Sequence, residues 1–251
     1  MHTTEFRFYE ELNDFLPPLR RKRSFTHAFS GTPTVKDTIE ALGVPHTEID
    51  LILVNGKSVR FTFHLHGGER VAVYPMFERF DVRPLYRLSP RPLRRTRFVA
   101  DVHLGKLARR LRLLGFDTLY GPSFEDARLA SISADERRIL LTRDVGLLKR
   151  SAVTRGHWVR HTDPLQQLKE VIDAFSLQQD LKPFTRCMVC NGDLRAVQRA
   201  SVAGLVPPGV LERCHRFRQC AQCKRIYWRG THFKRLNMLA LALRKAAGPT
   251  F

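Results

Sequence analysis

Long apolar runs are missing from this chain. None of its 251 residues belongs to a stretch near the roughly 18 apolar residues that a membrane-spanning helix needs, so no membrane role is expected. The N-terminus, MHTTEFRFYEEL, lacks a basic segment followed by an apolar core, and no secretory signal is read there. Cysteine is scarce, with five residues and none before Cys187. Neither a histidine pair nor a Ser or Cys nucleophile arrangement is evident, which disfavours a metal-free catalytic mechanism. A cytoplasmic protein is the expectation. Hydrophobic residues make up 43% and charged residues 27%, which is ordinary globular composition and argues against bulk disorder. The length suits two modest domains, or two with a small appendage.

Acidic residues are unevenly withheld. Residues 1–80 carry 10 bases and 10 acids, residues 81–185 carry 20 and 12, and residues 186–251 carry 13 and 2. The formal net charge of +19 therefore lies wholly beyond the first 80 residues. Such asymmetry joins an ordinary N-terminal domain to a segment that meets a polyanion, and nucleic acid is the polyanion that dense Lys/Arg serves best.

In the N-terminal part, EFRFY (5–9) and FTHAF (25–29) alternate as strands with one buried face. Thr34 reads as the N-cap of a helix carrying Val35, Ile39 and Leu42 on one face, with Gly43 at its end. DLILV (50–54) and RVAVY (70–74) are two further strands, and Asn55-Gly56 signals a hairpin. The order β-β-α-β-β predicts a ubiquitin-like β-grasp domain over residues 1–82. His64 and His66 alternate along a strand and read as surface or half-buried residues. Residues 83–97 hold three prolines and six arginines and are expected to form an extended basic linker. From Phe98 short apolar runs alternate with helical patterns, which predicts an α/β domain with a parallel sheet over 98–182.

Aspartates recur at the strand ends of that region. Asp101 follows FVA, Asp144 follows ILLT, Asp163 follows HWVRH, and Asp126 opens the intervening helix. Strand ends of an open parallel sheet share one edge, where ligands bind. Carboxylates gathered there repel one another, and a hard divalent cation such as Mg²⁺ or Mn²⁺ relieves that repulsion. In basic surroundings the matching chemistry is metal-assisted hydrolysis of a phosphodiester. Asp126, Asp144 and Asp163 also stand where helices begin, so a capping role accounts for any one of them alone. Asp101 has less structural use.

FVADVHLGKLARRLRLLGFDTLY, DARLASISADERRILLTRD and HTDPLQQLKEV resemble the Mut-seven C-terminal RNase domain family, whose core is PIN-like. PFTRCMVCNGDL and RCHRFRQCAQCKRIYWRGTHFKRL resemble its zinc ribbon, and the N-terminal domain is similar to the ubiquitin-like domain fused to many bacterial members. The resemblance implies that Asp101, Asp126, Asp144 and Asp163 are metal-binding acids. It makes Arg109 and Arg143 candidates for substrate phosphate or structural pairing, and Lys106 joins them as a substrate contact. His103 and Arg110 depart from the family pattern and give their helix a more basic face.

Cys187-x-x-Cys190 and Cys220-x-x-Cys223 are the spacing of a structural four-cysteine zinc site in a segment over 183–251. The 29 residues between the pairs call for an extra loop, placed at 201–211. Cys214 and His215 stand apart as bystanders, or as replacement ligands in another register. Aromatic residues among the bases here, Trp228 with Arg229 foremost, suit a single-strand RNA platform. The final segment, 233–247, reads as an amphipathic helix. The expected function is a Mg²⁺- or Mn²⁺-dependent ribonuclease with structural zinc, and the β-grasp domain is a candidate for docking a protein partner or regulating access to the site. The rival reading is a non-catalytic RNA- or ribosome-binding protein with a vestigial acidic pocket.

Overall fold

The computed structural model describes residues 1–75, 88, 96–230 and 238–244. Most of the linker at 83–97 lies outside the described residues. So does the C-terminal helix, except for 238–244, which are helical. The chain divides into two compact units, residues 1–95 with 125–158, and residues 96–124 with 159–251.

The N-terminal sheet is built from β1 (His2–Phe8), β2 (Phe25–Phe29), β3 (Ile49–Val54), β4 (Lys57–Ser58) and β5 (Arg70–Pro75), with helix α1 (Val35–Ala41) between β2 and β3. Its strand order is β2-β1-β5-β3-β4, with β1 and β5 parallel and the other pairs antiparallel. This is the expected β-grasp. The alternation in β1 sends Thr4, Phe6 and Phe8 inward and leaves Thr3, Glu5 and Arg7 exposed. Phe6, Phe8, Ile39, Ile52 and Leu65 are fully buried together. Thr34 Oγ1 accepts the Asp37 N–H at 3.1 Å, a cap worth about 1 kcal/mol. Asn55 and Gly56, at φ 48° and 80°, form the two-residue turn that pairs Val54 with Lys57. Strand β4 exceeds the expected order, because two polar residues are too few to show alternation. His64 Nδ1 lies 2.8 Å from the Thr32 carbonyl, a loop contact of the expected structural kind.

From Arg97 the chain alternates: β6 (Arg97–Ala100), α2 (Gly105–Leu113), β7 (Asp117–Tyr120), α3 (Asp126–Asp135), β8 (Ile139–Thr142), α4 (Val145–Leu148), β9 (Gly156–Trp158) and α5 (Pro164–Ala174). β6 pairs in parallel with β7, and β8 in parallel with β9, as an α/β domain requires. The strand expected at 157–161 stops at Trp158, since the backbone N–H groups of Arg160 and His161 donate instead to the Glu170 carboxylate at 2.9 and 3.2 Å. Gly115 ends α2 at φ 98°, and a Cβ there would run into the Lys182 carbonyl.

The ribbon adds β10 (Leu194–Val197), α6 (Pro208–Arg213), β11 (Phe217–Cys220) and β12 (Ile226–Trp228), the strands antiparallel in the order β10-β11-β12. The long interval between the cysteine pairs holds a 3-10 turn and α6. Val202 and Val206 from that interval bury themselves against Phe217. Among the described residues no helix is long and apolar enough to cross a membrane.

Candidate functional site

The two knuckles meet. Sulfur atoms of Cys187, Cys190, Cys220 and Cys223 all lie within 4.8 Å of one another, with Cys187 to Cys223 at 3.6 Å and Cys190 to Cys220 at 3.3 Å. A tetrahedral ion with bonds of about 2.3 Å needs sulfurs roughly 3.8 Å apart. The chemistry of the set also fits a metal. Burial opposes ionisation of Cys187, yet backbone N–H groups from Cys190 and Val189 and the Tyr227 hydroxyl draw it down to about 6. Cys223 receives a backbone N–H from Arg225, but burial and three neighbouring thiols push it up to about 12. Burial raises Cys220 as well. Four thiolates cannot coexist this close without a cation, and a bound divalent ion removes that conflict. Gly192 leaves room for the cluster, since a Cβ there would stand 3.0 Å from the Cys220 sulfur. The clustering of these four residues is consistent with a structural metal site such as zinc. Cys214 lies outside the set, its sulfur 3.6 Å from the Arg229 carbonyl.

Buried residues that the sequence did not single out weld the ribbon to α2 and β7. Arg112 is 4% exposed, and its Nε donates to the Thr118 carbonyl at 2.8 Å. Its Nη1 donates to the Val189 and Met188 carbonyls of the first knuckle at 2.8 and 3.2 Å. Burial lowers the Arg112 pKa, while the Cys187 and Cys190 sulfurs support its charge. Asn191, directly after the second cysteine, accepts the Thr118 N–H at 3.1 Å and donates to Asp117 at 2.7 Å. The one signal for it in the sequence is the turn dipeptide Asn191-Gly192.

The four aspartates divide two and two between the compact units, Asp126 and Asp144 in one and Asp101 and Asp163 in the other. Asp101 directly follows β6, is 5% exposed and makes no side-chain cap bond to the 3-10 turn it precedes. Asp126 is exposed in the first turn of α3, 3.6 Å from Arg150. Asp144 caps α4, its Oδ1 accepting the Gly146 N–H at 2.7 Å. Asp163 caps α5, its Oδ1 accepting from Leu165 and Gln166 at 2.9 and 3.0 Å. The Gln166 N–H above all, with Leu165 and the nearby Arg110, holds Asp163 below the usual carboxylate range. Lys106 and Arg109 lie exposed on α2, Arg143 is exposed beside Asp144, and Trp228 and Arg229 are exposed at the end of β12.

Comparison with known families decides the relationship. The family model described as "Mut7-C RNAse domain" matches residues 96–240. This chain belongs to the Mut7-C RNAse domain family. The Mut7-C match spans β6 through the ribbon, so the parallel strands, the four thiols and all four aspartates fall inside it. A second model, "Mut7-C ubiquitin", matches residues 1–81, the β-grasp. Both halves of the arrangement expected from the sequence are present, and the Mut7-C assignment places the chain in a nuclease family. Among curated proteins none matches. Among solved structures, the chain is similar to one titled "Crystal structure of H. volcanii small archaeal modifier protein 1", at 19% identity and a TM-score of 0.25, covering 30% of this chain and 98% of that one.

Proposed function

We propose that this protein is a metal-dependent ribonuclease that hydrolyses phosphodiester bonds of single-stranded RNA. Family membership supports the reaction class. One observation about the acids carries the reading further. In both capping aspartates the helix N–H bonds fall on Oδ1, so capping leaves Oδ2 for another ligand. Capping and metal binding are therefore compatible in Asp144 and Asp163. Asp101 stands at the start of a 3-10 turn without capping it, and Asp126 lies in the first turn of α3, one position after the cap residue Glu125.

Oxygen donors of this kind suit Mg²⁺ or Mn²⁺, held by Asp101, Asp126, Asp144 and Asp163, and the ion would supply an activated water and charge neutralisation at the phosphate. Lys106, Arg109 and Arg143 offer exposed cations to the RNA backbone, and Trp228 and Arg229 extend contact onto the ribbon. Zinc at Cys187, Cys190, Cys220 and Cys223 holds the ribbon together and takes no part in the chemistry. The working division is a β-grasp domain over 1–82, a linker over 83–97, a PIN-like domain over 98–182 and the ribbon over 183–251. The β-grasp domain serves a protein partner, and the protein works in the cytoplasm.

The test is cleavage of end-labelled single-stranded RNA by the full chain with Mn²⁺, with EDTA, and after Asp101→Asn. Cleavage that needs the ion and is lost on substitution, while RNA binding persists, supports the enzyme. Tight binding without cleavage across varied RNAs overturns it in favour of a binding protein.

A further inference from the structure

A cavity of about 400 Å³ lies within the second compact unit, against the three strands of the ribbon. Its walls come from Pro183-Phe184, from the ends of β10, β11 and β12, and from the helical residues 240–244. That volume falls in the range of pockets that take a ligand-sized group. Arg216, Arg218, Arg229 and Arg244 line it, together with His215, and among the described residues no carboxylate does. Two of these arginines are already positioned. Arg218 Nη1 donates to the Phe184 carbonyl at 2.8 Å, and Arg244 Nη2 donates to the Leu181 carbonyl at 2.5 Å. One donor fixes each guanidinium and leaves the rest of its fork for an anion, so little side-chain entropy remains to be lost on binding. Trp228 ends the edge strand with 38% of its surface exposed, and Phe184 also lines the groove.

We propose that this groove is an RNA-holding subsite, in which an unpaired base stacks on Trp228 and the flanking phosphates meet Arg216, Arg218, Arg229 and Arg244. Charge selects the occupant, because four arginines gathered in one groove call for a polyanion. The exposed indole selects among polyanions, since a duplex hides its base faces and a single strand presents them. None of the four aspartates lines the groove, so it grips RNA without cutting it. The choice of RNA over DNA rests on the ribonuclease reading above. The groove itself does not.

The experiment uses the full chain carrying Asp101→Asn, a fluorescein-labelled 12-nucleotide uridine-rich RNA and fluorescence anisotropy across a salt series. Trp228→Leu is expected to weaken binding at least about fivefold with an unchanged salt slope, and Trp228→Phe to restore most of it. Arg216→Gln with Arg229→Gln is expected to weaken binding about tenfold and to flatten the slope by roughly 1.4, two single-strand phosphate contacts. Annealing the RNA to its complement should abolish the difference between Trp228 and Leu. Metal content and far-UV circular dichroism certify each variant as folded. Parent-like binding by the folded Trp228→Leu and arginine variants overturns the subsite, as does tighter binding of the duplex. Tighter binding of single-stranded DNA of the same sequence overturns its assignment to RNA. Cleavage by the Asp101 parent is scored separately. A cutting enzyme whose groove variants bind normally loses only the groove, and a groove that binds in a protein that never cuts loses only the ribonuclease.

Discussion

Glu48 Oε1 accepts the backbone N–H of Trp158 at 2.6 Å, joining residues 110 positions apart. Glu48 lies just before β3 of the β-grasp sheet, and Trp158 ends β9. Around this bond Phe15 packs its ring 4.8 Å from the Trp158 ring, and His46 Nε2 lies 2.9 Å from the Val153 carbonyl. Lys149 Nζ donates to the Glu40 carbonyl at 2.6 Å. On its far side the indole Nε1 donates to the Arg143 carbonyl at 3.2 Å, one residue before Asp144. The β-grasp domain thus grips the segment that presents one of the four acids. Glu48→Ala should destabilise this unit by about 1–3 kcal/mol, because a part-buried N–H loses its acceptor. Phe15→Ala should cost about 0.5–1.5 kcal/mol beyond its lost area. Urea unfolding followed by tryptophan fluorescence reads both, and unchanged midpoints would remove the brace.

Metal content tests the thiol cluster. Elemental analysis should find one zinc per chain. Cys187→Ser should lose it and melt the ribbon, because structural zinc supplies folding free energy directly. Cys214→Ser should keep it, since that sulfur lies outside the set. Loss of zinc from the Cys214 variant, or retention by Cys187→Ser, would reassign the ligands.

What could be read in the sequence was local. The Thr34 cap, the Asn55-Gly56 turn and the alternation in β1 each depend on residues a few positions apart, and all three are present. The cysteine pairs were legible because two knuckles of fixed spacing have one common use. Arg112 was not, because in LARRLRLL it looks like any other basic residue. Its partners are carbonyls, two of them 76 and 77 positions away, and carbonyls leave no mark in a sequence. The Glu48 to Trp158 bond was hidden for the same reason. Strand β9 ended early because Glu170, in the following helix, took the N–H groups that a longer strand would have used.

Acid should loosen the β-grasp domain through Glu69. Its carboxylate is buried, which alone would raise its pKa, yet the Thr4 hydroxyl at 2.6 Å and the His66 and Gly67 N–H groups at 2.6 and 2.9 Å lower it below 4.5. A folded pKa below the unfolded value gives stability that is present above pH 4.5 and lost as pH falls through the folded pKa. Urea midpoints should therefore fall steeply below about pH 4.5. Glu69→Gln, which turns an amide donor toward N–H groups, should cost about 1–3 kcal/mol at pH 7 and flatten the acid limb. An acid limb of parent steepness in the folded variant would assign the effect to other carboxylates.

Capping and metal binding can be separated in Asp144 and Asp163, because asparagine caps a helix about as well as aspartate but is a poor ligand for Mg²⁺ or Mn²⁺. Asp144→Asn should leave stability within about 0.5 kcal/mol of the parent, since the side-chain oxygen that accepts the Gly146 N–H is kept. Asp144→Ala should cost about 1 kcal/mol more. On the ribonuclease reading, both should lose Mn²⁺ affinity and RNA cleavage to a similar extent, whereas a pure cap would lose function only with alanine. Asp163 should follow the same pattern, with two N–H groups rather than one depending on its Oδ1. Mn²⁺ titration by electron paramagnetic resonance gives a readout independent of turnover. Parent-like Mn²⁺ binding and cleavage in Asp144→Asn, alongside destabilised Asp144→Ala, would make the cap the whole role of that residue.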